Sequence, residues 1–247
     1  MFGSIRAFVF YFVYVLTVGI WGAVVLLVGW ALPYRARFAF GVGVWSRFAI
    51  LWLRLTCGVS GRITGVENIP DRPCIVFSRH ESSWETLVLQ SVFKPQATLI
   101  KRELLRIPLF GWSYAMMKPI AIDRSSPRAA LKKLISVGRK RLADGIWVVL
   151  FPEGTRMQPG EFRSFQAGGA ALAAASGAPV IVVAHNAGTF WPPHRLRKYP
   201  GVIEMRISPP IATEGRSSKE INRDAYAVMT RMMDELAEAE GKASEIL

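Results

Sequence analysis

Cysteine is nearly absent: Cys57 and Cys74 are the only two in 247 residues. Both sit in apolar surroundings with no Cys-x-x-Cys and no Cys/His cluster, so neither a disulfide framework nor a zinc or other metal site is indicated. Histidine is almost as scarce, at three. There is no Gly-x-Ser-x-Gly elbow and no cysteine next to a histidine, so no covalent nucleophile is visible. The small-residue run Gly168 to Ala175 is not followed by Gly-Lys-Ser/Thr, which excludes a phosphate loop. Acidic residues are in deficit, 18 against 31 Lys and Arg, leaving a net charge of +13. That balance suits an anionic partner: nucleic acid, an anionic membrane, a phosphorylated substrate or an acidic carrier protein.

Charge of either sign is missing from Ala7 to Tyr34, a run long enough to enter a bilayer. No small-x-small site closes it cleanly, so a retained segment is preferred to a cleaved leader. A second apolar segment, Phe38 to Val59, follows Pro33, Arg35 and Arg37 but carries Arg47 and Arg54. Two interior arginines, with Trp30, Trp45 and Trp52, suit a helix that folds back along the first with its arginines reaching the head groups. Residues 1–58 therefore read as a membrane-embedded helical hairpin that does not make two full crossings. Packing of both helices on a soluble core is the competing reading.

From residue 59 to 247 the texture changes to short apolar strands alternating with helical patterns, the signature of an α/β fold with a mixed, partly parallel central sheet flanked by helices. The expected strands are Arg62–Thr64, Cys74–Phe77, Ala97–Ile100, Ile120–Ile122, Ile146–Phe151, Val180–Ala184 and Val202–Ile207. Ser126-Pro127 opens a helix that Asp144-Gly145 closes. A capping box at Ser217-Ser218-Lys219-Glu220 starts a C-terminal helix, which presents Ile221, Ala225, Val228, Met232 and Leu236 on one face.

Two strand ends draw attention as chemistry. After Cys74–Phe77 comes Ser78-Arg79-His80-Glu81-Ser82-Ser83-Trp84-Glu85. Ser82 and Glu85 have capping-box spacing, which would put His80 in the turn and Glu85 on the first helical turn, close enough to pair. A carboxylate beside an imidazole fixes its tautomer and stabilises the imidazolium formed when it takes a proton. After Ile146–Phe151 comes Pro152-Glu153-Gly154-Thr155-Arg156, at the strand edge where α/β sheets bind ligands. Gly154 permits an unusual backbone angle, Thr155 offers a hydroxyl, Arg156 offers a fork for phosphate, and Glu153 would orient Arg156 or another basic group. Lys101 and Arg124 follow two further strands and add cations to the same edge.

Taken together, these residues resemble the glycerolipid acyltransferases, in particular the 1-acyl-sn-glycerol-3-phosphate (lysophosphatidic acid) acyltransferases, over roughly residues 60 to 210. The family's first block, a histidine followed by four residues and an acid, is similar to His80 to Glu85. The acid is usually Asp, so this chain is longer there by one methylene, as in a bacterial variant of the block. The second block resembles Lys101 to Leu104 with Pro108, Gly111 and Ile122-Asp123-Arg124; the third, Phe-Pro-Glu-Gly-Thr-Arg, is present in full at Phe151–Arg156; the fourth resembles Ala178 to Val183.

The resemblance implies transfer of a fatty acyl group from acyl carrier protein or acyl-CoA to the sn-2 hydroxyl of lysophosphatidic acid, forming phosphatidic acid for phospholipid synthesis. His80 would be general base with Glu85 behind it, and Lys101, Arg124, Glu153, Gly154, Thr155 and Arg156 would bind substrate. No cofactor or metal is implied beyond the acyl donor, the bilayer is a partner, and nucleic acid is not. A bacterial inner-membrane protein with its site facing the cytoplasm is expected. Oxyanion donors could come from backbone N–H groups at the start of the Ser82 helix. Two alternatives stand beside it: transfer to another lysophospholipid or a lyso-aminolipid, and a non-catalytic membrane protein binding anionic lipid or nucleic acid. The aromatics lie mainly in the apolar N-terminus and are not interleaved with the basic residues, which disfavours nucleic acid.

Overall fold

The computed structural model describes residues 2–245. A helix α1 (Phe2–Val28) runs into a short turn, and a second arm, Tyr34–Cys57, returns along it. That arm is built from α2 (Tyr34–Phe38), a π-helical stretch (Ala39–Val44) and α3 (Trp45–Cys57). Arg37 closes the turn by donating to Gly29 O at 2.7 Å and Leu32 O at 2.9 Å, which satisfies carbonyls at the end of the first arm. Gly58, at φ 70°, ends α3 in the left-handed conformation that favours glycine.

Seven strands follow: β1 (Val59–Thr64), β2 (Ile75–Ser78), β3 (Gln96–Lys101), β4 (Ile120–Ile122), β5 (Trp147–Leu150), β6 (Val180–His185) and β7 (Gly201–Ile207). They form one sheet in the order β1-β7-β6-β2-β5-β3-β4. Every pairing is parallel except β6 with β7. All seven expected strands are present, with ends shifted by a few residues; Cys74 precedes β2, and β1 starts three residues earlier than its apolar pattern suggested. The central strands β2, β5 and β6 are buried along their whole length, as expected for parallel strands covered on both faces.

The helices are α4 (Trp84–Val92), α5 (Phe110–Ala115), α6 (Pro127–Ala143), α7 (Ala167–Ser176), α8 (Ala187–Phe190) and α9 (Ser218–Glu245). On one face of the sheet α6, α7 and α9 enclose a core with Ile75, Phe77, Val148 and Val182. Here the small residues of α7 matter: a Cβ on Gly169 would lie 2.7 Å from Phe77 Cε1 and 2.8 Å from Leu150 Cδ1. The Ser217–Glu220 capping box forms, with Ser217 N–H donating to Glu220 Oε2 at 2.9 Å and Glu220 N–H donating to Ser217 Oγ at 3.3 Å.

On the opposite face the hairpin itself supplies the cover. Phe10, Ala49 and Leu53 are buried in one cluster with Val76, Trp84, Val149 and Ile181, so the hydrophobic core runs unbroken from hairpin to sheet. The outer faces are different. Phe8, Phe12, Val15, Ile20 and Leu27 on α1, and Phe48, Leu51 and Leu55 on α3, are exposed. Only 17% of the most apolar window of the first arm and 28% of that of the second are buried. Both arms are long and apolar enough to cross a membrane by length and composition, and an exposed apolar surface of this size marks a membrane or protein contact.

Candidate active site

Because β2, β5, β3 and β4 are adjacent and parallel, their C-terminal ends open on one edge. β2 delivers His80 there, β5 delivers Phe151–Arg156, β3 ends in Lys101 and β4 in Asp123-Arg124. Chain connections leave β2 and β5 in opposite directions, which opens a crevice at the switch point.

His80 is held on four sides. Its Nδ1 is 2.7 Å from Glu85 Oε1, its ring stacks on Phe151 with centroids 4.0 Å apart, its N–H donates to Glu153 Oε2 at 3.0 Å, and its carbonyl accepts from Met157 N–H at 2.7 Å. With Nδ1 taken by Glu85, Nε2 is the ring nitrogen left for the cavity that His80 lines. The same Glu85 Oε1 accepts Ser82 N–H at 3.0 Å, so one oxygen serves both helix start and histidine. The rest of the expected cap differs: α4 begins at Trp84, whose N–H donates to Ser82 Oγ at 3.2 Å. Ser82 and Trp84 N–H are thus spent inside the turn and are not available as oxyanion donors.

Glu85 is wholly buried. Burial would raise its carboxyl, but the bond from His80, the His185 imidazole and Ser82 N–H outweigh that and hold it below the ordinary glutamate value. Among the described residues Glu85 Oε2 has no hydrogen-bond partner, and it lies 4.0 Å from His185 Nε2. His185 Nε2 donates instead to Arg79 O at 2.9 Å.

Around this pair lies a cavity of about 530 Å³. Its mouth carries His80, Lys101, Arg124, Gly154, Thr155 and Arg156, so six of the eight residues singled out from sequence line it beside one another, with Glu85 behind His80. Gly154 has φ 77°, which favours glycine. Arg124 Nη1 donates to Gly154 O at 2.8 Å, and Arg156 Nη2 donates to Ser83 Oγ at 3.2 Å, so both guanidiniums brace the loop and keep further N–H groups for a ligand. Deeper in, the wall is Tyr14, Val18, Trp21, Gly22 and Val25 of α1 with Gly41, Val42 and Trp45 of the second arm. A cationic mouth at the sheet edge therefore leads into a mainly apolar channel, one wall of which is the hairpin.

Glu153 takes a different place. It is buried away from the cavity, paired with the guanidinium of Arg79 and holding His80 N–H. The basic group it orients is Arg79, not Arg156. Burial pushes its carboxyl up to about 7, against the pull of the Arg79 charge and His80 N–H. Arg79 is fully buried and also pairs with Glu81 at 2.9 Å, donates to Glu161 O and lies over the Phe162 ring at 5.2 Å. Glu81 Oε2 in turn accepts Gly188 N–H at 3.1 Å. This ionic cluster was missed in the sequence; the available signal was two charged residues, Arg79 and Glu81, flanking the histidine immediately after a buried strand.

Comparisons with known proteins agree with this arrangement. The family model described as "Acyltransferase" matches residues 61–186. A 1-acyl-sn-glycerol-3-phosphate acyltransferase of Pseudomonas aeruginosa is 43% identical over 98% of this chain and 95% of its own length. A Saccharomyces cerevisiae protein of the same name is 31% identical over 75% of this chain and 63% of its own. The crystal structure of the 1-acyl-sn-glycerophosphate (LPA) acyltransferase PlsC from Thermotoga maritima superposes with a TM-score of 0.79 at 25% identity, covering 95% of this chain and 96% of that one. With the family model spanning the sheet edge that carries His80, Glu85 and Phe151–Arg156, this chain belongs to the acyltransferase family and is an O-acyltransferase.

Proposed function

We propose that the protein transfers a fatty acyl group from a thioester, acyl-CoA or acyl carrier protein, to the sn-2 hydroxyl of 1-acyl-sn-glycerol 3-phosphate. The products are phosphatidic acid and the free thiol. The observation that carries this reading is the His80–Glu85 pair at 2.7 Å, set where a mouth with Lys101, Arg124 and Arg156 meets an apolar channel. The names of the Pseudomonas and yeast relatives support the acceptor.

In this mechanism the acceptor phosphate docks on Arg124, Arg156 and Lys101, with Thr155 contributing its hydroxyl and Gly154 close backbone approach. His80 Nε2 takes the proton as the acceptor oxygen attacks the thioester carbon. Glu85 keeps the ring in the tautomer that leaves Nε2 free and stabilises the imidazolium that results. The tetrahedral intermediate collapses, the C–S bond breaks and the proton passes from His80 to the thiolate. The attacking group is the acceptor hydroxyl, so no acyl-enzyme forms and no cofactor beyond the donor is needed. Glu153 acts through the backbone of His80 and through Arg79, not on substrate. In this reading the exposed outer face of the hairpin lies in a bacterial inner membrane with the site facing the cytoplasm, and phosphatidic acid made there feeds phospholipid synthesis.

The test is transfer by purified protein from acyl-CoA and from acyl carrier protein to lysophosphatidic acid, monoacylglycerol and a lyso-aminolipid. Phosphatidic acid as the dominant product supports the reading. Equal transfer to monoacylglycerol, which lacks the phosphate, or no transfer to lysophosphatidic acid, refutes it.

A further inference from the structure

A second cavity, about 370 Å³, adjoins the first and shares Ser83, Arg156 and His194 with it. Its other walls are Tyr11, Trp191, Pro192, Pro193, Arg195 and Leu196. The two lie end to end along α1. Tyr11 lines the second, while Tyr14, Val18 and Val25 line the first, a span of roughly 20 Å at 1.5 Å per helical residue. Arg156 and Ser83, joined by a hydrogen bond at 3.2 Å, mark the junction.

The segment that builds this cavity, Trp191–Pro200, joins α8 to β7 and has three prolines and four of the basic or histidine side chains. It is held rigidly. Lys198 is buried with its Nζ 3.6 Å from the centre of the Tyr11 ring, 4.9 Å from Trp191 and 5.4 Å from Phe10, and it donates to Leu196 O at 2.8 Å. Trp191 Nε1 donates to Tyr11 OH at 3.2 Å, and Tyr199 N–H donates to Phe190 O at 2.8 Å. His194, shared by both cavities, sits at φ 58°, a left-handed conformation that costs a side-chain-bearing residue energy and is found where surrounding structure enforces it. The cavity is therefore preformed.

A thioester carbonyl placed at His80 has its alkyl chain on one side and its sulfur on the other. If the chain enters the apolar channel, the sulfur points away from it, toward the second cavity. Rigid apolar walls at Trp191, Pro192 and Pro193, with donors at Tyr11, His194 and Arg195, suit a narrow arm of methylenes and amides ending in phosphate. CoA and carrier protein share one such arm, phosphopantetheine. We propose that the second cavity binds the phosphopantetheine arm of the acyl donor, with Arg195 meeting its phosphate. The proposal rests on the acyl-transfer reading above and extends it to the donor side.

Acyl-pantetheine and acyl-phosphopantetheine differ only by the phosphate and isolate this contact. The wild type should show a KM about tenfold or more lower for the phosphorylated donor, the size of a charge-assisted hydrogen bond, and Arg195→Ala should bring the ratio close to one. Arg197→Ala, on the same segment but stacked over Tyr199 outside the cavity, should keep the ratio. The KM for acyl-CoA and for acyl carrier protein should both rise in Arg195→Ala, and the wild-type rates with each tell which carrier is used. A rise for acyl-CoA alone, a rise in the lysophosphatidic acid KM instead, or an unchanged ratio overturns the assignment. Equilibrium binding of free CoA, weakened in Arg195→Ala, needs no turnover. It separates failure of this proposal from failure of the acceptor reading.

Discussion

Glu85→Gln changes one oxygen for nitrogen at a wholly buried position and removes a charge that touches His80 at 2.7 Å. The glutamine carbonyl can still accept Ser82 N–H, so the helix start survives. What is lost is the attraction between carboxylate and imidazolium, which exists only after His80 has taken the proton. At about 4 Å between charge centres and an effective dielectric of roughly 20, that attraction is about 4 kcal/mol; with the hydrogen bond partly retained, about 2–4 kcal/mol is expected to appear in the barrier. This is roughly a 30- to 1000-fold fall in kcat.

Stability should move little. The variant buries an amide N–H where Glu85 Oε2 has no hydrogen-bond partner among the described residues, a cost of about 1–3 kcal/mol, but it also removes a desolvated charge. The wild-type group, held below its unfolded value, contributes stability that is present above about pH 4.5 and lost as pH falls through the lowered folded value. Glu85→Gln should lack that acid-sensitive component and keep its neutral-pH Tm within a few degrees. The assay pairs phosphatidic acid formation with thermal unfolding from pH 3 to 8. A rate within threefold of wild type, with unchanged fold, refutes the dyad; a collapse of Tm with the rate assigns Glu85 to the helix start alone.

Two further outcomes are expected. For Arg156→Ala, the KM for lysophosphatidic acid should rise about tenfold or more from loss of a charge-assisted contact, measured beside monoacylglycerol, for which no such rise is expected. Glu153, pushed up to about 7, keeps a proton in the folded chain between about pH 4.5 and 7 that the unfolded chain has lost. Its contribution to stability is therefore full below pH 4.5 and lost as pH rises through 7, and Glu153→Gln, neutral throughout, should flatten the fall in Tm between about pH 4.5 and 7.

The central strands were legible in the sequence because Cys74–Phe77, Ile146–Phe151 and Val180–Ala184 are short apolar runs, and β6 with its all-buried Val180–His185 is the plainest case. His80 and Glu85 were legible because cap spacing places them by local geometry alone. Glu153 was not: its partner Arg79 is 74 residues away, and the side to which a strand-end carboxylate turns is decided by tertiary packing. The hairpin posed a related problem. A helix whose one charge, Arg6, lies in its second turn has no polar face to mark its outside, so nothing in the pattern of α1 told that Phe10 would pack against Trp191 while Phe8 and Phe12 stayed exposed. The Arg195 cavity escaped for the same reason, since a loop and a distant helix build it together.

The central claim is that His80 takes the proton from the acceptor hydroxyl. It is tested most directly by the rate of phosphatidic acid formation by His80→Ala, with unfolding and membrane binding measured on the same preparation. A fall of about 100- to 10,000-fold, the range of general-base catalysis, with fold and membrane binding intact, is the predicted result. A rate within threefold of the wild type contradicts the account.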